Sequence, residues 1–216
     1  MERLERRIAR TSDGSYTLFV PSLNEHYHSI NGAVQESKHV FIKYGLLPLL
    51  KTREQLNILD IGFGTGLNAL LTLINNRHIP IYYYAVEAYP IAPEHINTLY
   101  YPQHLNQPDE KASFELLHQA EWGKEVAMKP NFKLLKLKQR IEDFEFPDKV
   151  DLVYYDAFAP DTQPELWTTE IFNKLFRLMN PGAVLVTYCA KGQVKRNLKA
   201  AGFPLKACPA HPASVK

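Results

Sequence analysis

The stretch that decides the fold reads Asn57-Ile58-Leu59-Asp60-Ile61-Gly62-Phe63-Gly64-Thr65-Gly66-Leu67-Asn68. Its apolar first half predicts a buried strand, and the alternating glycines that follow predict a tight turn that leads into a helix. Glycine has no β-carbon, so Gly62, Gly64 and Gly66 permit unusual backbone angles and the close approach of a ligand. In a parallel sheet, the first strand-to-helix turn offers backbone N–H groups and the positive end of a helix dipole. We therefore predict a nucleoside-binding turn.

Downstream of this turn, short apolar runs alternate with helical stretches, which is typical of a parallel sheet covered on both faces. Asn180-Pro181-Gly182 predicts a turn before the fifth strand. The fold class is therefore expected to be α/β, with a doubly wound, mostly parallel, Rossmann-like sheet. The predicted strands span residues 57–61, 81–86, 132–136, 151–155 and 183–188, and the predicted helices span residues 67–75, 93–100, 114–122, 165–178 and 193–200.

The first fifty residues follow a different pattern. Asp13-Gly14 suits a tight turn and Tyr16-Thr17-Leu18-Phe19-Val20 suits a strand, so we predict an N-terminal β-hairpin. Residues 32–50 are apolar at helical spacing, which predicts a helix beneath the main sheet. We accordingly divide the chain into an extension of hairpin and helix, residues 1–50, and a main domain, residues 51–216.

Composition narrows the class of protein. Of 216 residues, 45% are hydrophobic and 22% are charged, as in soluble globular proteins. No apolar run approaches the roughly 20 residues that a membrane-spanning helix needs. The basic N-terminus has no apolar segment behind it, unlike a secretory signal, so we expect a cytoplasmic protein without a membrane span. Cys189 and Cys208 are too few for a zinc site or a disulfide framework and are interpreted as structural.

The distribution of charge along the chain indicates whether a polyanionic partner is plausible. A net charge of +2 neither demands nor excludes a polyanion. After Glu170, however, the chain carries eight Lys or Arg residues and no acidic residue, so one end of the fold is expected to be basic.

A carboxylate follows the second predicted strand. Glu87 is placed to accept hydrogen bonds from both hydroxyls of a ribose. The glycine spacing G-x-G-x-G differs from the G-x-G-x-x-G of dinucleotide binders, which favours S-adenosylmethionine over NAD and makes a dehydrogenase the weakest alternative. Two simpler interpretations stay open: the glycines form only a tight junction, and Glu87 caps the next helix.

The fourth predicted strand ends in Asp156-Ala157-Phe158-Ala159-Pro160. In the predicted sheet this segment faces the reactive end of the cofactor. Asp156 can accept a hydrogen bond from a substrate amine and aim its lone pair, while Phe158 can stack on a planar base. The open alternative is that Asp156 caps the following helix and Phe158 belongs to the core.

Several blocks together resemble a known family, the tRNA 5-methylaminomethyl-2-thiouridine methyltransferases. The resemblance extends from about Ser15 to Phe203, and the blocks that carry it are residues 28–41, 61–68, 156–160, 164–167 and 186–203. It implies a class I methyltransferase fold and transfer of a methyl group from S-adenosylmethionine to the primary amine of 5-aminomethyl-2-thiouridine at the tRNA wobble position. A small-molecule N- or O-methyltransferase and a non-catalytic methyltransferase-like binding module are the alternatives.

Site residues follow from the motifs and the resemblance together. Asp156 is expected to be catalytic and to hold the amine. Glu36 is carried over as a contact to the methionine part or the substrate, with a surface helix charge as its alternative. The expected cofactor-binding residues are Gly62, Phe63, Gly64, Thr65, Gly66, Asn68, Glu87 and Glu36, and the expected substrate-binding residues are Phe158, Pro160, Lys191, Lys195 and Arg196, the last three as phosphate contacts.

Family members also occur fused to a flavin-dependent oxidase that produces the amine. Because this chain ends at Lys216, we expect neither FAD nor that second activity, and we expect no metal. The expected partners are the tRNA anticodon loop and a separate amine-forming enzyme that acts upstream; the oligomeric state stays open. Two departures from the family pattern are visible. The aspartate that commonly follows the third strand and binds adenine has no clear counterpart, so the adenine contact is assigned to Glu142 or Asp143. A final antiparallel strand after Phe203 is expected to be missing.

Overall fold

A computed structural model describes residues 5–76, 78–145 and 149–209. The N-terminal part forms an antiparallel sheet of order β1-β2-β3, with β1 at Arg7–Arg10, β2 at Tyr16–Val20 and β3 at Glu25–His26. Gly14 has a φ of 84°, which suits the turn between β1 and β2. The predicted hairpin is therefore confirmed, and the short strand β3 extends it.

A helical segment follows and packs on the main sheet. It consists of α1 (Ala33–Ser37), a π-helix (Lys38–Leu46) and α2 (Leu47–Leu50). A β-carbon on Gly45 would lie 3.1 Å from the Val186 side chain, so the π-helix approaches the sheet closely. Leu18 and Phe41 share one buried cluster with the main sheet, so the extension and the main domain have a common core.

The main sheet has six strands in the order β6-β7-β5-β4-β8-β9, and all are parallel except β6. Its strands β4 and β8 are almost fully buried, because helices cover both faces. The doubly wound α/β fold is therefore confirmed. The strands are β4 (Leu56–Ile61), β5 (Ile81–Val86), β6 (Glu125–Lys129), β7 (Phe132–Leu137), β8 (Val150–Tyr155) and β9 (Met179–Val186).

Two strands differ from the prediction. The edge strand β6 was not predicted, because only Met128 of its five residues is buried and the apolar signal is weak. Strand β9 begins at Met179 rather than at residue 183. Asn180-Pro181-Gly182 forms a bulge inside it, with Gly182 at a φ of 75°, and the pairing shifts between Val150 and Leu152.

The helices between strands also differ in their bounds. The predicted helix 93–100 is only a single turn, and Tyr100 at a φ of 51° separates it from the next. The predicted helix 165–178 is divided into a 3₁₀ turn (Pro164–Trp167) and α7, where the Thr168 hydroxyl accepts a bond from the Ile171 N–H. The helices are α3 (Leu67–Asn75), α4 (Pro93–Ile96), α5 (Tyr101–His104), α6 (Lys111–Gln119), α7 (Thr169–Leu178) and α8 (Gly192–Ala200).

The last residues bear on the expected loss of a final strand. Residues 204–209 form no strand, and residues 210–216 lie outside the described part of the chain. None of the helices formed by the described residues has the length and apolarity that a membrane crossing requires.

Candidate functional site

A cleft of about 730 Å³ opens at the carboxyl ends of β4, β5 and β8. Parallel sheets bind ligands at this edge, and the volume is within the usual range for a small-molecule site. The N-terminal sheet contributes the opposite wall through residues 25–28. Seven of the predicted site residues line the cleft: Glu36, Gly62, Phe63, Gly64, Glu87, Asp156 and Phe158.

The glycine turn is close-packed on both sides. Gly62 has a φ of 89°, and a β-carbon there would lie 2.6 Å from the Asp156 carbonyl oxygen. A β-carbon on Gly64 would lie 3.1 Å from the Tyr27 ring. Since a side chain would meet backbone on one side and an aromatic ring on the other, glycine is required for this turn to form.

Two further residues of the turn lie behind it. Gly66 precedes α3 with a φ of 72°, and a β-carbon there would lie 2.8 Å from His118 Nε2. Thr65 is buried, and its hydroxyl is 2.6 Å from His28 Nε2. Neither Thr65 nor Gly66 lines the cleft. The structure therefore places both as supports of the turn, and direct cofactor contact by either stays a prediction.

Glu87 lies at the end of β5 and is held by backbone. Its Oε2 accepts a bond of 3.0 Å from the Gly64 N–H, and its Oε1 accepts one of 2.8 Å from the Tyr89 N–H. Burial raises the pKa of Glu87 above its ordinary value. It does not cap the next helix, because α4 begins only at Pro93. Each carboxylate oxygen keeps a free lone pair for a hydroxyl ligand.

Asp156 lies directly after β8 and opens into the same cleft. Its Oδ2 accepts a hydrogen bond of 2.8 Å from Asn68 Nδ2. Burial, together with the charges of Glu36 and Asp60, raises the pKa of Asp156 well above its ordinary value. The next helical turn begins only at Pro164, so Asp156 caps no helix. Asn68 does not line the cleft and acts on it through Asp156.

Glu36 projects from α1 towards the cleft. Its Oε1 accepts a hydrogen bond of 3.2 Å from the Ser29 N–H, and burial raises its pKa. The carboxylate is near enough to Asp156 for its charge to act on that group. Glu36 is therefore a cleft residue rather than a solvated helix charge.

An aromatic pair forms one wall. The rings of Tyr27 and Phe158 meet edge to face with centroids 5.1 Å apart. The Tyr27 hydroxyl accepts a bond of 2.9 Å from Arg6 Nε, and Arg6 also donates to the Tyr89 carbonyl at 2.9 Å. Phe158 is thus a wall residue and not part of the core.

Two contacts that could not be predicted from the sequence hold the N-terminal wall of the cleft in place. The Thr162 hydroxyl donates to Glu25 Oε1 at 2.8 Å and ties β3 to the loop after β8. Arg6 provides the second tie, to the loop after β5. Both pairs are distant in sequence, and no local pattern indicates them.

The remaining predicted residues divide between the cleft and its surroundings. Glu142 lines the cleft and Asp143 does not, and Glu142 pairs with Arg140. Pro160, Lys195 and Arg196 lie outside the cleft lining, and Arg196 donates to Gln193 Oε1 at 2.7 Å. Lys191 forms an ion pair with Asp161, just after the segment that contains Asp156.

Within the described ranges, His, Cys, Asp and Glu side chains form no group of three that could hold a metal ion. The cleft instead combines a glycine turn, a carboxylate on each neighbouring strand and an aromatic wall. This combination suits a nucleoside-containing ligand beside a polar acceptor.

Comparison with known proteins gives concordant matches. Residues 112–213 match a family described as S-adenosyl-L-methionine-dependent methyltransferase. The tRNA 5-methylaminomethyl-2-thiouridine biosynthesis bifunctional proteins MnmC of Paraburkholderia xenovorans and Pseudomonas fluorescens are 29% and 32% identical to the chain. The alignments cover 87% and 85% of this chain and 30% of each relative, so the chain spans about 30% of the length of these curated relatives.

Among solved structures, the crystal structure of MNMC2 from Aquifex aeolicus is similar, with a TM-score of 0.77 at 27% identity. The match covers 94% of this chain and 66% of that one. These matches confirm the family resemblance carried by the sequence blocks.

Proposed function

We propose that this chain, an S-adenosyl-L-methionine-dependent methyltransferase related to the methyltransferase part of the bifunctional MnmC proteins, methylates the exocyclic amine of 5-aminomethyl-2-thiouridine at the tRNA wobble position. The observation that carries the proposal is the placement of Glu87 and Asp156. They follow neighbouring strands on either side of β4 and open into one cleft, so one can hold a nucleoside while the other holds an acceptor.

The cleft fits the cofactor. Gly62 and Gly64 line the cleft at a turn that has no room for a β-carbon, and Glu87 presents carboxylate oxygens for two ribose hydroxyls. Glu142 is the acidic candidate for the adenine end, and Glu36 is the candidate for the methionine ammonium. When bound, the cofactor supplies an electrophilic methyl group on a sulfonium centre.

Asp156 has the properties that the acceptor step needs. An amine attacks only in its unprotonated form, and ionised Asp156 can take its proton or accept a hydrogen bond from it. Because its pKa is raised, the carboxylate is a stronger base than an ordinary aspartate. The carbon–sulfur bond breaks as the nitrogen–carbon bond forms, and the nitrogen then releases a proton. Positioning of the lone pair is the main contribution of the protein.

The remaining groups suit a base displaced from an anticodon loop. The Phe158 ring, supported edge-on by Tyr27, offers a stacking surface inside the cleft. Lys191, Lys195 and Arg196 are proposed to contact the flanking phosphates outside it. We place the reaction in the cytoplasm, with the amine supplied by an upstream modification activity.

The test is incubation of the protein with labelled S-adenosylmethionine and tRNA that carries 5-aminomethyl-2-thiouridine, followed by nucleoside analysis. We expect label only in 5-methylaminomethyl-2-thiouridine. tRNA whose wobble uridine still carries the carboxymethylaminomethyl group is the matched control and should stay unlabelled.

Two outcomes overturn the proposal. Methylation of a small amine with the tRNA untouched identifies a small-molecule N- or O-methyltransferase. Calorimetry that detects no binding of S-adenosylmethionine identifies a non-catalytic binding module.

A further inference from the structure

A buried carboxyl group lies beneath the floor of the cleft. Asp60 on β4 is 0% exposed, and its Oδ2 accepts a hydrogen bond of 2.7 Å from the Tyr83 hydroxyl. Its Oδ1 has no hydrogen-bond partner among the described residues. A buried carboxylate with one hydrogen bond and no cation is strongly disfavoured in its charged form.

Among the ionisable groups around Asp60, the neighbouring carboxylates make its charged form less favourable still, whereas the Tyr83 hydroxyl favours that form. Strands β5 and β8 flank β4 and contribute Tyr83 and Tyr154, both fully buried. The charge of Glu87 acts on Asp60, and the charge of Asp60 acts on Asp156. An ionised Asp60 would therefore face two further carboxylates at the ends of the same neighbouring strands.

A second buried atom without a partner belongs to the residue that contacts Asp156. Asn68 uses its Nδ2 to donate to Asp156, but its own Oδ1 is buried and has no hydrogen bond within the described ranges. Both unpartnered atoms are acceptors as long as Asp60 is ionised. A proton on Asp60 would supply a donor where the described residues offer none.

We propose that Asp60 keeps a proton in the working protein and that this neutral carboxyl is a positioning residue, which allows Asp156 to carry the negative charge of the site. A proton on Oδ1 makes it a donor for Asn68 Oδ1, directly or through one buried water. The Asn68 amide is then fixed with its Nδ2 towards Asp156. This inference rests on the proposed function, in which ionised Asp156 receives the amine.

Asp60 is 0% exposed, whereas Asp156 lines the cleft and is only partly buried, so Asp60 is the one of these two coupled carboxyls that keeps the proton. Burial raises the pKa of Asp60 to about 8, and the hydrogen bond from Tyr83 opposes that rise. The group is therefore largely neutral at pH 7 and loses its proton in mildly alkaline solution.

The direct test is titration of the protein with ¹³C-labelled aspartate carboxyl groups, followed by NMR. One carboxyl signal should remain in the protonated position at pH 7, titrate near pH 8 and disappear in Asp60→Asn. In Tyr83→Phe the same signal should titrate at a higher pH, because the bond that favours the charged form is lost. An Asp60 signal that is already ionised at pH 6 overturns the proposal.

The kinetic test compares Asp60→Asn with Asp60→Ala. Asparagine reproduces a protonated aspartic acid, since it accepts from Tyr83 and donates to Asn68. We expect kcat to fall no more than about 3-fold in Asp60→Asn and at least about 10-fold in Asp60→Ala, with cofactor affinity preserved in both. The loss of rate above about pH 8 in the unaltered protein should be absent in Asp60→Asn.

A loss in Asp60→Asn as large as in Asp60→Ala overturns the positioning role. If Asp60→Ala fails to fold, the pH profile of Asp60→Asn and the titration of Tyr83→Phe still decide the question. The NMR result does not depend on methyl transfer. Failure of the unaltered protein to methylate tRNA is therefore a failure of the proposed function and is distinguishable from a failure of this inference.

Discussion

Asn68 donates a hydrogen bond of 2.8 Å from Nδ2 to Asp156 Oδ2. This bond joins the first turn of α3, directly after the glycine turn, to the carboxylate at the end of β8. The proposed cofactor side of the cleft and the proposed acceptor side are therefore connected through one amide group, so a displacement of the turn would also shift the hydrogen bond to Asp156.

Asp156→Ala should remove methyl transfer and leave cofactor binding largely intact. We expect kcat to fall at least about 100-fold, because the group proposed to receive the amine is lost, while the Kd for S-adenosylmethionine changes only a few-fold. Single-turnover assays with modified tRNA, paired with calorimetry, measure both quantities. The exposed Asp109→Ala is the matched control. Undiminished turnover in Asp156→Ala contradicts the assigned role.

Asn68 provides a second test of the same bond. Because Asn68 acts through Asp156, the double variant Asn68→Ala with Asp156→Ala should be no slower than Asp156→Ala alone, whereas Asn68→Ala by itself should lower kcat about 10-fold. Additive losses in the double variant would show that Asn68 contributes by another route.

Glu87→Gln should weaken binding of S-adenosylmethionine by about 10- to 100-fold, since hydrogen bonds to a charged acceptor contribute roughly 1.5–3 kcal/mol. The amide also has only one acceptor oxygen, while the N–H groups of Gly64 and Tyr89 require two. Calorimetry measures the Kd, and exposed Glu54→Gln is the control. A Kd within twofold of the unaltered protein excludes Glu87 as the ribose ligand.

Gly62→Ala and Gly123→Ala separate steric exclusion from backbone strain. Both glycines have a positive φ, 89° and 81°, but only a β-carbon at Gly62 meets backbone, at 2.6 Å, whereas Gly123 faces open space. Each variant should lose about 1–2 kcal/mol from strain alone. Gly62→Ala should lose at least about 1 kcal/mol more and should also lose cofactor affinity. Equal free energies of unfolding in the two variants would remove the steric argument.

The fold could be predicted largely from sequence because its central strands are buried on both faces and read as apolar runs. Glu87 and Asp156 were predictable for the same reason, since each follows such a run directly. Local sequence patterns do not indicate contacts between residues that lie far apart in the chain. Thr162 and Glu25 are 137 positions apart, and Arg6 and Tyr89 are 83 apart. The wall that the N-terminal sheet adds to the cleft therefore became visible only in the structure.

Acidification should release a contact that supports the glycine turn. Burial lowers the pKa of His28 to about 4, from an ordinary value of 6.5, so the neutral ring stabilises the fold fully above pH 6.5. That stability is lost as the pH falls towards 4, because the unfolded chain gains a proton that the folded chain does not. Between pH 7 and pH 5 the loss should be about 2 kcal/mol for this group.

The contribution of His28 is isolated by urea unfolding at pH 7 and pH 5. The unaltered protein is compared with His28→Gln. Glutamine can still bond to Thr65 but does not titrate, so its free energy of unfolding should fall less between pH 7 and pH 5. His118, whose pKa burial lowers to about 3, is unchanged in both proteins and cancels in the comparison. Identical pH dependence in the two proteins contradicts the prediction.

Binding of tRNA should weaken steeply with salt, because cations on α8 and at Lys191 just before it would displace counterions from phosphates. For single-stranded loops the slope of log affinity against log salt changes by roughly 0.7 per phosphate contact, so replacing Lys191, Lys195 and Arg196 by Gln should flatten it by up to about 2. Lys191 should contribute least, because it already pairs with Asp161. Filter binding between about 50 and 200 mM salt measures the slope.

Lys124→Gln is the matched control, since Lys124 precedes β6 at the opposite edge of the sheet from β9. It removes the same charge from a place that the proposed anticodon-loop contact does not reach, so its slope should equal that of the unaltered protein. The cleft itself is lined with carboxylates, which repel phosphate and admit an amine. Recognition of a polyanion must then come from outside the cleft, and an affinity independent of ionic strength would exclude α8 from that role.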